Sequence, residues 1–161
     1  MVNDDERRPQ RLCRLRPGAG PARVICARDR RDDIIAYHVQ GRVTLQNLMD
    51  AVESALDLGL AEHAVWNVVD GDLGDLSIGE LGVAMSLMFS GPWAPRKCAV
   101  LMSFDSGSSL VGATRLATVA DLQGFGHRVR TFADRAEALQ WLGRRERSTL
   151  PAHPDSQAEV R

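Results

Sequence analysis

The sequence has no long apolar run. No segment reaches the roughly 18 apolar residues that a membrane-spanning helix requires, so we predict no membrane span. Residues 1–23, MVNDDERRPQRLCRLRPGAGPAR, contain no apolar stretch of the kind found in signal peptides. We therefore expect a cytoplasmic protein.

Motifs for metal, cofactor or catalysis are also missing. The three cysteines, Cys13, Cys26 and Cys98, are odd in number and widely spaced, which argues against a disulfide framework or a zinc site. The four histidines are scattered, and there is no G-x-S-x-G, Walker or Rossmann motif. We predict no cofactor, no metal site and no catalytic residue. A catalytic set that assembles only in the folded chain is the alternative.

The charge of the chain is nearly balanced. The formal net charge is -1, so no overall field favours nucleic acid, and we expect no nucleic-acid partner. Residues 1–22 are rich in arginine, proline and glycine and are predicted to form a flexible basic arm. Residues 145–161 are polar and interrupted by Pro151 and Pro154, which predicts a disordered tail. We therefore predict that the folded domain comprises residues 23–144, between the arm and the tail.

Apolar patterns of two different periods fill the first half of this domain. RVICAR (23–28) and IIAYHV (34–39) predict two strands joined as a hairpin. Thr44 is predicted to cap the first helix. The apolar stripe of that helix is formed by Leu45, Leu48, Met49, Val52 and Leu56. The run AVWNVV (64–69) favours a strand that is buried on both faces.

The second half continues the alternation of strands and helices. Ser77 and Glu80 have the spacing of a capping box that starts the second helix. CAVLMSF (98–104) and RVRTF (128–132) predict two further strands, and Asp134 begins the last helix. The helix between these two strands has its predicted apolar face at Leu110, Ala113, Leu116, Ala117 and Ala120. The order β-β-α-β-α-β-α-β-α predicts a single α/β domain, with a mixed, mostly parallel sheet of about five strands and four helices.

Three segments carry a family resemblance. They are Gly41-Arg-Val-Thr44 leading into the first helix, Trp66 to Met85 with its acidic loop, and TFADRAEALQWL (131–142). These segments resemble the SpoIIAA-like proteins, which are related to the STAS domain of anti-sigma factor antagonists, and the resemblance covers about residues 24–143. It implies a SpoIIAA-like fold and non-enzymatic roles: protein–protein switching, small-ligand sensing or lipid binding.

The resemblance also draws attention to Ser77. In phosphorylatable antagonists, a serine at the start of the helix after the acidic loop receives the phosphate. In this chain Ile78 and Gly79 stand where the paired serines would be, and Ser77 is displaced by one position. We predict that Ser77 is a helix cap, with phosphorylation of Ser77 as the alternative.

Two loops are predicted at the carboxyl edge of the parallel strands, where ligands gather in open α/β sheets. The first, residues 70–76, carries Asp70 and Asp72 and leads to Ser77. The second, residues 105–109, offers hydroxyl and backbone N–H groups to a carboxylate or a phosphate. Its candidate binding residues are Asp105, Ser106, Ser108 and Ser109.

A third candidate surface lies at the end of the second helix. Met88 and Trp93 are predicted to contact a protein partner or a second copy of the chain. Our first hypothesis is therefore a regulatory module that binds another protein, or itself, through the second helix and its flanking loops. The alternatives are a carrier that holds a small molecule or lipid between helices and sheet, and, third, an enzyme.

Overall fold

The computed structural model describes residues 22–105 and 107–144 of the 161-residue chain. The predicted tail at residues 145–161 lies outside the described residues, and so does the predicted arm at residues 1–22 apart from Ala22. The described elements begin at Arg23 and end at Trp141.

The described part of the chain contains five strands and four helices in the predicted order. The strands are β1 (Arg23–Asp29), β2 (Ile34–Arg42), β3 (His63–Asp72), β4 (Lys97–Leu101) and β5 (Val129–Phe132). The helices are α1 (Leu45–Asp57), α2 (Ile78–Phe89), α3 (Gly107–Leu122) and α4 (Arg135–Trp141).

The strands form one sheet in the order β1-β2-β3-β4-β5. β1 and β2 pair antiparallel as a hairpin, and the other three pairs are parallel. Because each parallel strand is added on the same side of the one before it, crossovers of one hand place α1, α2 and α3 on the same face of the sheet. α4 packs on the opposite face against β4 and β5. The predicted single α/β domain with a mixed, mostly parallel sheet is confirmed.

The two faces of the sheet carry two separate cores. Adjacent residues of a strand point to opposite faces, so Val65 and Trp66 belong to different cores. The larger core joins the sheet to α1, α2 and α3, and it includes Tyr37 stacked on Trp66 with ring centroids 4.0 Å apart. The smaller core packs Phe132 and Leu139 against Val65. β3 and β4 are therefore covered on both faces, as their apolar runs predict.

β3 is longer than predicted, which moves the acidic loop. Asp70 and Asp72 belong to the strand, because pairing with β2 continues beyond a register shift between His38 and Gln40. Past that shift, Gln40 pairs with Asp70. The prediction that residues 70–76 form one loop is therefore wrong: the connection to α2 begins after Asp72.

Two helix faces also differ from the prediction. Leu56 of α1 is 44% exposed, while Ala51 and Ala55 are buried. Leu110 of α3 is 58% exposed. Apolar residues surround much of α3, so periodicity alone does not select its buried side. Gly112 is buried instead, and a Cβ built on it would lie 3.3 Å from Cε of Met102, the residue that follows β4. Ala117 is exposed, whereas Val119 is buried.

Candidate functional site

The connections after β3 and β4 lie at the same edge of the sheet, as predicted. Arg115 of α3, the helix that follows the second connection, contacts the first connection, because its Nη1 donates to the carbonyl oxygens of Gly74 at 2.9 Å and Leu76 at 3.1 Å. The guanidinium therefore holds the start of α2 against α3. The structure thus places Asp72, Ser77 and the first turns of α3 in one region.

The aspartates of this region serve the turn. Oδ1 of Asp72 accepts from the backbone N–H of Gly74 at 2.7 Å, which closes the turn after β3. Oδ2 of Asp72 lies 3.7 Å from Arg42 Nε, and Asp75 lies 3.1 Å from Arg42 Nη1. Asp70 is exposed on β3. No group of three or more His, Cys, Asp or Glu side chains in the described residues is arranged to hold a metal ion.

Ser77 caps α2, as the S-x-x-E spacing predicts. Its Oγ accepts from the backbone N–H of Glu80 at 3.1 Å, and its own N–H donates to Glu80 Oε2 at 2.8 Å. The Glu80 carboxylate accepts hydrogen bonds from the Ser77 backbone and, second in effect, from the Ser77 side chain, and both hold the pKa of this carboxyl below its ordinary value. A phosphate on Ser77 would meet this carboxylate, so the capping box opposes the added charge.

The loop after β4 is only partly described. Oδ2 of Asp105 accepts from Ser103 Oγ at 3.3 Å. Ser109 lies in the first turn of α3 with its side chain half-buried. Ser106 lies outside the described residues, and so does the side chain of Ser108. The proposed use of these serines for a bound anion stays a prediction.

Met88 and Trp93 line one small cleft of about 40 Å³. Met88 is half-buried and also packs against the larger core, whereas Trp93 is 39% exposed. The Trp93 ring covers Gly91, where φ is +103° and a built Cβ would lie 2.9 Å from the ring. Trp93 is therefore available to a partner, whereas Met88 contributes mainly to the core.

The larger core contains an apolar cavity between the sheet and helices α1 to α3. Its volume is about 50 Å³, and its walls include Trp66, Met85 and Phe89. For comparison, an engineered apolar cavity of about 150 Å³ binds a molecule as small as benzene. The cavity is therefore too small for a lipid chain in this conformation.

Buried titratable groups lie within the core. Burial raises the pKa of the Cys98 thiol to about 12, and that of Tyr37 is also raised by burial. Cys98 is 2% exposed, so its thiol is protonated and inaccessible near neutral pH. Such a thiol is a packing residue rather than a nucleophile.

An exposed apolar surface lies between α2 and α3, and we call it the α2–α3 face. Ile78, Val83 and Leu122 are 46%, 51% and 74% exposed around a groove of about 420 Å³. Gln123 closes the groove between the helices, because its Nε2 donates to the carbonyl of Gly82 at 3.1 Å. A Cβ built on Gly82 would lie 2.9 Å from this nitrogen. The absence of a side chain at Gly82 therefore allows the Gln123 amide to approach α2 closely.

The α2–α3 face is poor in charge. The 12 residues of α2 and the 16 residues of α3 include only Glu80, Arg115 and Asp121 as charged residues. Sequence reasoning missed Val83 and Leu122, because it considered only the buried stripe of each helix. The available sequence signal was the excess of apolar residues outside those stripes.

No helix in the described part of the chain is both long and apolar enough to cross a membrane.

No protein-family model matches the sequence, and no curated protein matches it. Among solved structures, the chain is similar to an uncharacterized protein of the DUF3478 family with a SpoIIAA-like fold from Shewanella loihica PV-4. The sequences are 22% identical, the match covers 75% of this chain and 93% of that chain, and the TM-score is 0.45.

Proposed function

We propose that this chain is a non-enzymatic binding module that acts through protein–protein interaction, and that the α2–α3 face binds a second copy of the chain. The observation that carries this proposal is the exposure of Val83 and Leu122 beside an open apolar groove. Contiguous exposed apolar surface of this kind is typical of protein interaction sites.

The chemistry of the face favours a partner that is apolar and uncharged. Ser86 is one of the polar residues at the groove, and its Oγ donates to Gln123 Oε1 at 3.3 Å. This hydroxyl is therefore already satisfied within the protein. Because the two helices carry so few charges, a charged partner surface would lose hydration without gaining ion pairs.

A second copy meets these requirements. In a two-fold dimer, each copy contributes the same surface, so a charge-poor face pairs with itself without like-charge repulsion. The face also combines a protruding side chain, Leu122, with a groove of about 420 Å³ beside it. Leu122 of one copy is of a size that the groove of the other can accept.

Sedimentation velocity over a range of protein concentrations tests the proposal. The unaltered chain is expected to dimerise, and Leu122→Arg or Val83→Arg is expected to give monomers with an unchanged circular dichroism spectrum. Leu60→Arg is the matched control, because Leu60 is 63% exposed in the loop between α1 and β3. A monomer at every concentration, or a dimer that survives both α2–α3 substitutions, would overturn the proposal.

Native mass spectrometry separates this proposal from the carrier alternative. The carrier hypothesis requires the apolar cavity to expand well beyond its volume of about 50 Å³. It predicts an added mass of lipid or small-molecule size on each subunit. The binding-module proposal predicts dimers whose mass is twice that of the chain.

A further inference from the structure

The amino edge of the sheet, opposite the predicted site, carries an open groove of about 630 Å³. It forms where three parallel strands begin, because the residues at each start line it. Glu62 directly precedes β3, which begins at His63, and Arg96 directly precedes β4, which begins at Lys97. Arg128 precedes β5 and completes this row. The topology therefore collects residues that are far apart in the sequence.

The groove is strongly basic. Four cationic side chains line it: Arg96, Lys97, Arg128 and Arg144, the last of which follows α4. Glu62 is the only carboxylate among the lining residues. With both lining histidines neutral, the formal charge of the groove is +3, in a chain whose net charge is -1. Such concentration of one sign in a concave site raises the local concentration of oppositely charged ligands.

The Glu62 carboxylate forms hydrogen bonds with two of these four cations. Glu62 accepts from Arg96 at 3.0 Å and from Arg144 at 2.8 Å. These hydrogen bonds, that from Arg144 first, hold the pKa of the Glu62 carboxyl below its ordinary value. Glu62 is therefore ionised, and it occupies the place that an external anion would take between the two guanidinium groups.

The other two cations are held in place without being neutralised. Lys97 donates to the carbonyl of Trp141 at 2.9 Å and lies 4.9 Å from the centroid of its ring. Arg128 donates to the carbonyls of Pro95 and Arg96 and lies 4.4 Å above the Phe89 ring. Backbone carbonyls orient these groups but leave their positive charge in the groove. Cations fixed in this way lose little conformational entropy when a ligand binds.

A second, independent feature lies in the wall of the same groove. His63 is 5% exposed, and its Nδ1 has no hydrogen-bond partner in the described structure. Its Nε2 lies 3.7 Å from Glu62 Oε2. Buried polar atoms without partners are rare in proteins and call for an explanation. An anion in the groove would favour the protonated imidazole, which donates from both nitrogens.

We propose that this groove binds a small multivalent oxyanion of the phosphate class. Arg96, whose side chain is 79% exposed, is free to turn from Glu62 to the anion, and Arg144 provides a second guanidinium. Guanidinium groups match the oxygens of phosphate with paired hydrogen bonds. This site is independent of the α2–α3 face and does not require the chain to dimerise.

Titration with inorganic pyrophosphate, followed by calorimetry and by NMR, tests the proposal on the full chain. Saturable binding should shift the NMR resonances of His63, Lys97 and Arg96. Arg96→Gln should weaken binding by about tenfold or more, because it removes a charge-assisted contact. Arg42→Gln is the matched control, since Arg42 is 60% exposed at the opposite edge. It should leave the affinity unchanged.

Glu62→Gln separates a ligand site from a structural ion-pair network. In a ligand site, the substitution removes the competing carboxylate and should tighten pyrophosphate binding. In a network that serves stability alone, it should lower the melting temperature without creating tighter binding. No saturable binding, or equal weakening by Arg96→Gln and Arg42→Gln, would overturn the proposal even if Glu62→Gln does not fold.

Discussion

Gly71 of β3 lies so close to Val39 of β2 that a Cβ built on Gly71 would be 2.6 Å from Val39 Cγ1. The same Cβ would be 3.1 Å from the Val39 carbonyl oxygen. Val39 is 1% exposed and lies between His38 and Gln40, where the register of the two strands shifts. The irregular pairing is therefore accommodated at a position without a side chain.

Replacing Gly71 by alanine should destabilise the protein. The buried, β-branched side chain of Val39 has little freedom to move away, so we expect Gly71→Ala to lower the free energy of unfolding by about 1–3 kcal/mol. Urea denaturation measures this change. Gly107→Ala is the control, because a Cβ on Gly107 would meet no atom within 4 Å. Equal free energies of unfolding for Gly71→Ala and the unaltered chain would show that β2 and β3 can move apart at this position without loss of stability.

The cap of α2 gives a second prediction. Ser77→Ala removes the acceptor for the Glu80 N–H and should lower the free energy of unfolding by about 0.5–2 kcal/mol. Because the pKa of Glu80 is lowered in the folded state, its contribution should be present above the unfolded pKa and lost as pH falls through the folded pKa. Urea denaturation of Ser77→Ala, Glu80→Gln and the double variant should show coupling at pH 7. If the losses of stability in the two single variants simply add in the double variant, Ser77 and Glu80 do not stabilise the helix as one capping box.

The fold was predictable because its patterns are local. Thr44, Ser77 and Asp134 all begin helices as predicted, since a capping side chain acts within its own first turn. The run containing Trp66 predicted a strand buried on both faces, because a nearly continuous apolar run leaves neither face suited to water. The extension of β3 to Asp72 was not predictable, since it depends on pairing with β2 across a register shift.

The candidate surfaces were harder to predict because they depend on which strands are neighbours. Loops at the carboxyl edge follow from the parallel arrangement, so Ser77 was placed there correctly, whereas Asp72 ends β3 instead of lying in the loop. Arg96 and Glu62 are 34 residues apart, and no periodic pattern joins them. Their meeting follows only from the register that sets His63 beside Lys97.

The two cysteines of the described chain should differ in reactivity. Cys98 is 2% exposed with a thiol pKa raised to about 12 by burial, whereas Cys26 is half-exposed on β1. Iodoacetamide at neutral pH should therefore modify Cys26 in the native protein and Cys98 only after unfolding. Mass spectrometry of tryptic peptides, with and without urea, measures the two rates. Rapid native labelling of Cys98 would mean that the larger core opens readily.

The buried imidazole of His63 should make stability depend on pH. Burial, reinforced by the positive charges of Arg144, Lys97 and Arg96, lowers the pKa of His63 despite the opposing effect of Glu62. The unfolded chain then binds more protons, so stability is complete above about pH 6.5 and decreases as pH falls toward the folded pKa. Urea denaturation between pH 7.5 and about 5.5 should show this decrease.

His63→Gln should flatten that part of the pH profile, because glutamine does not titrate. His38→Gln is the control: His38 is half-buried on β2, away from the groove, and its replacement should preserve the slope. Pyrophosphate adds a further test, because an anion that favours the imidazolium form should raise the pKa of His63 and reduce the loss of stability in acid. An unchanged slope in His63→Gln would show that other groups produce the pH dependence.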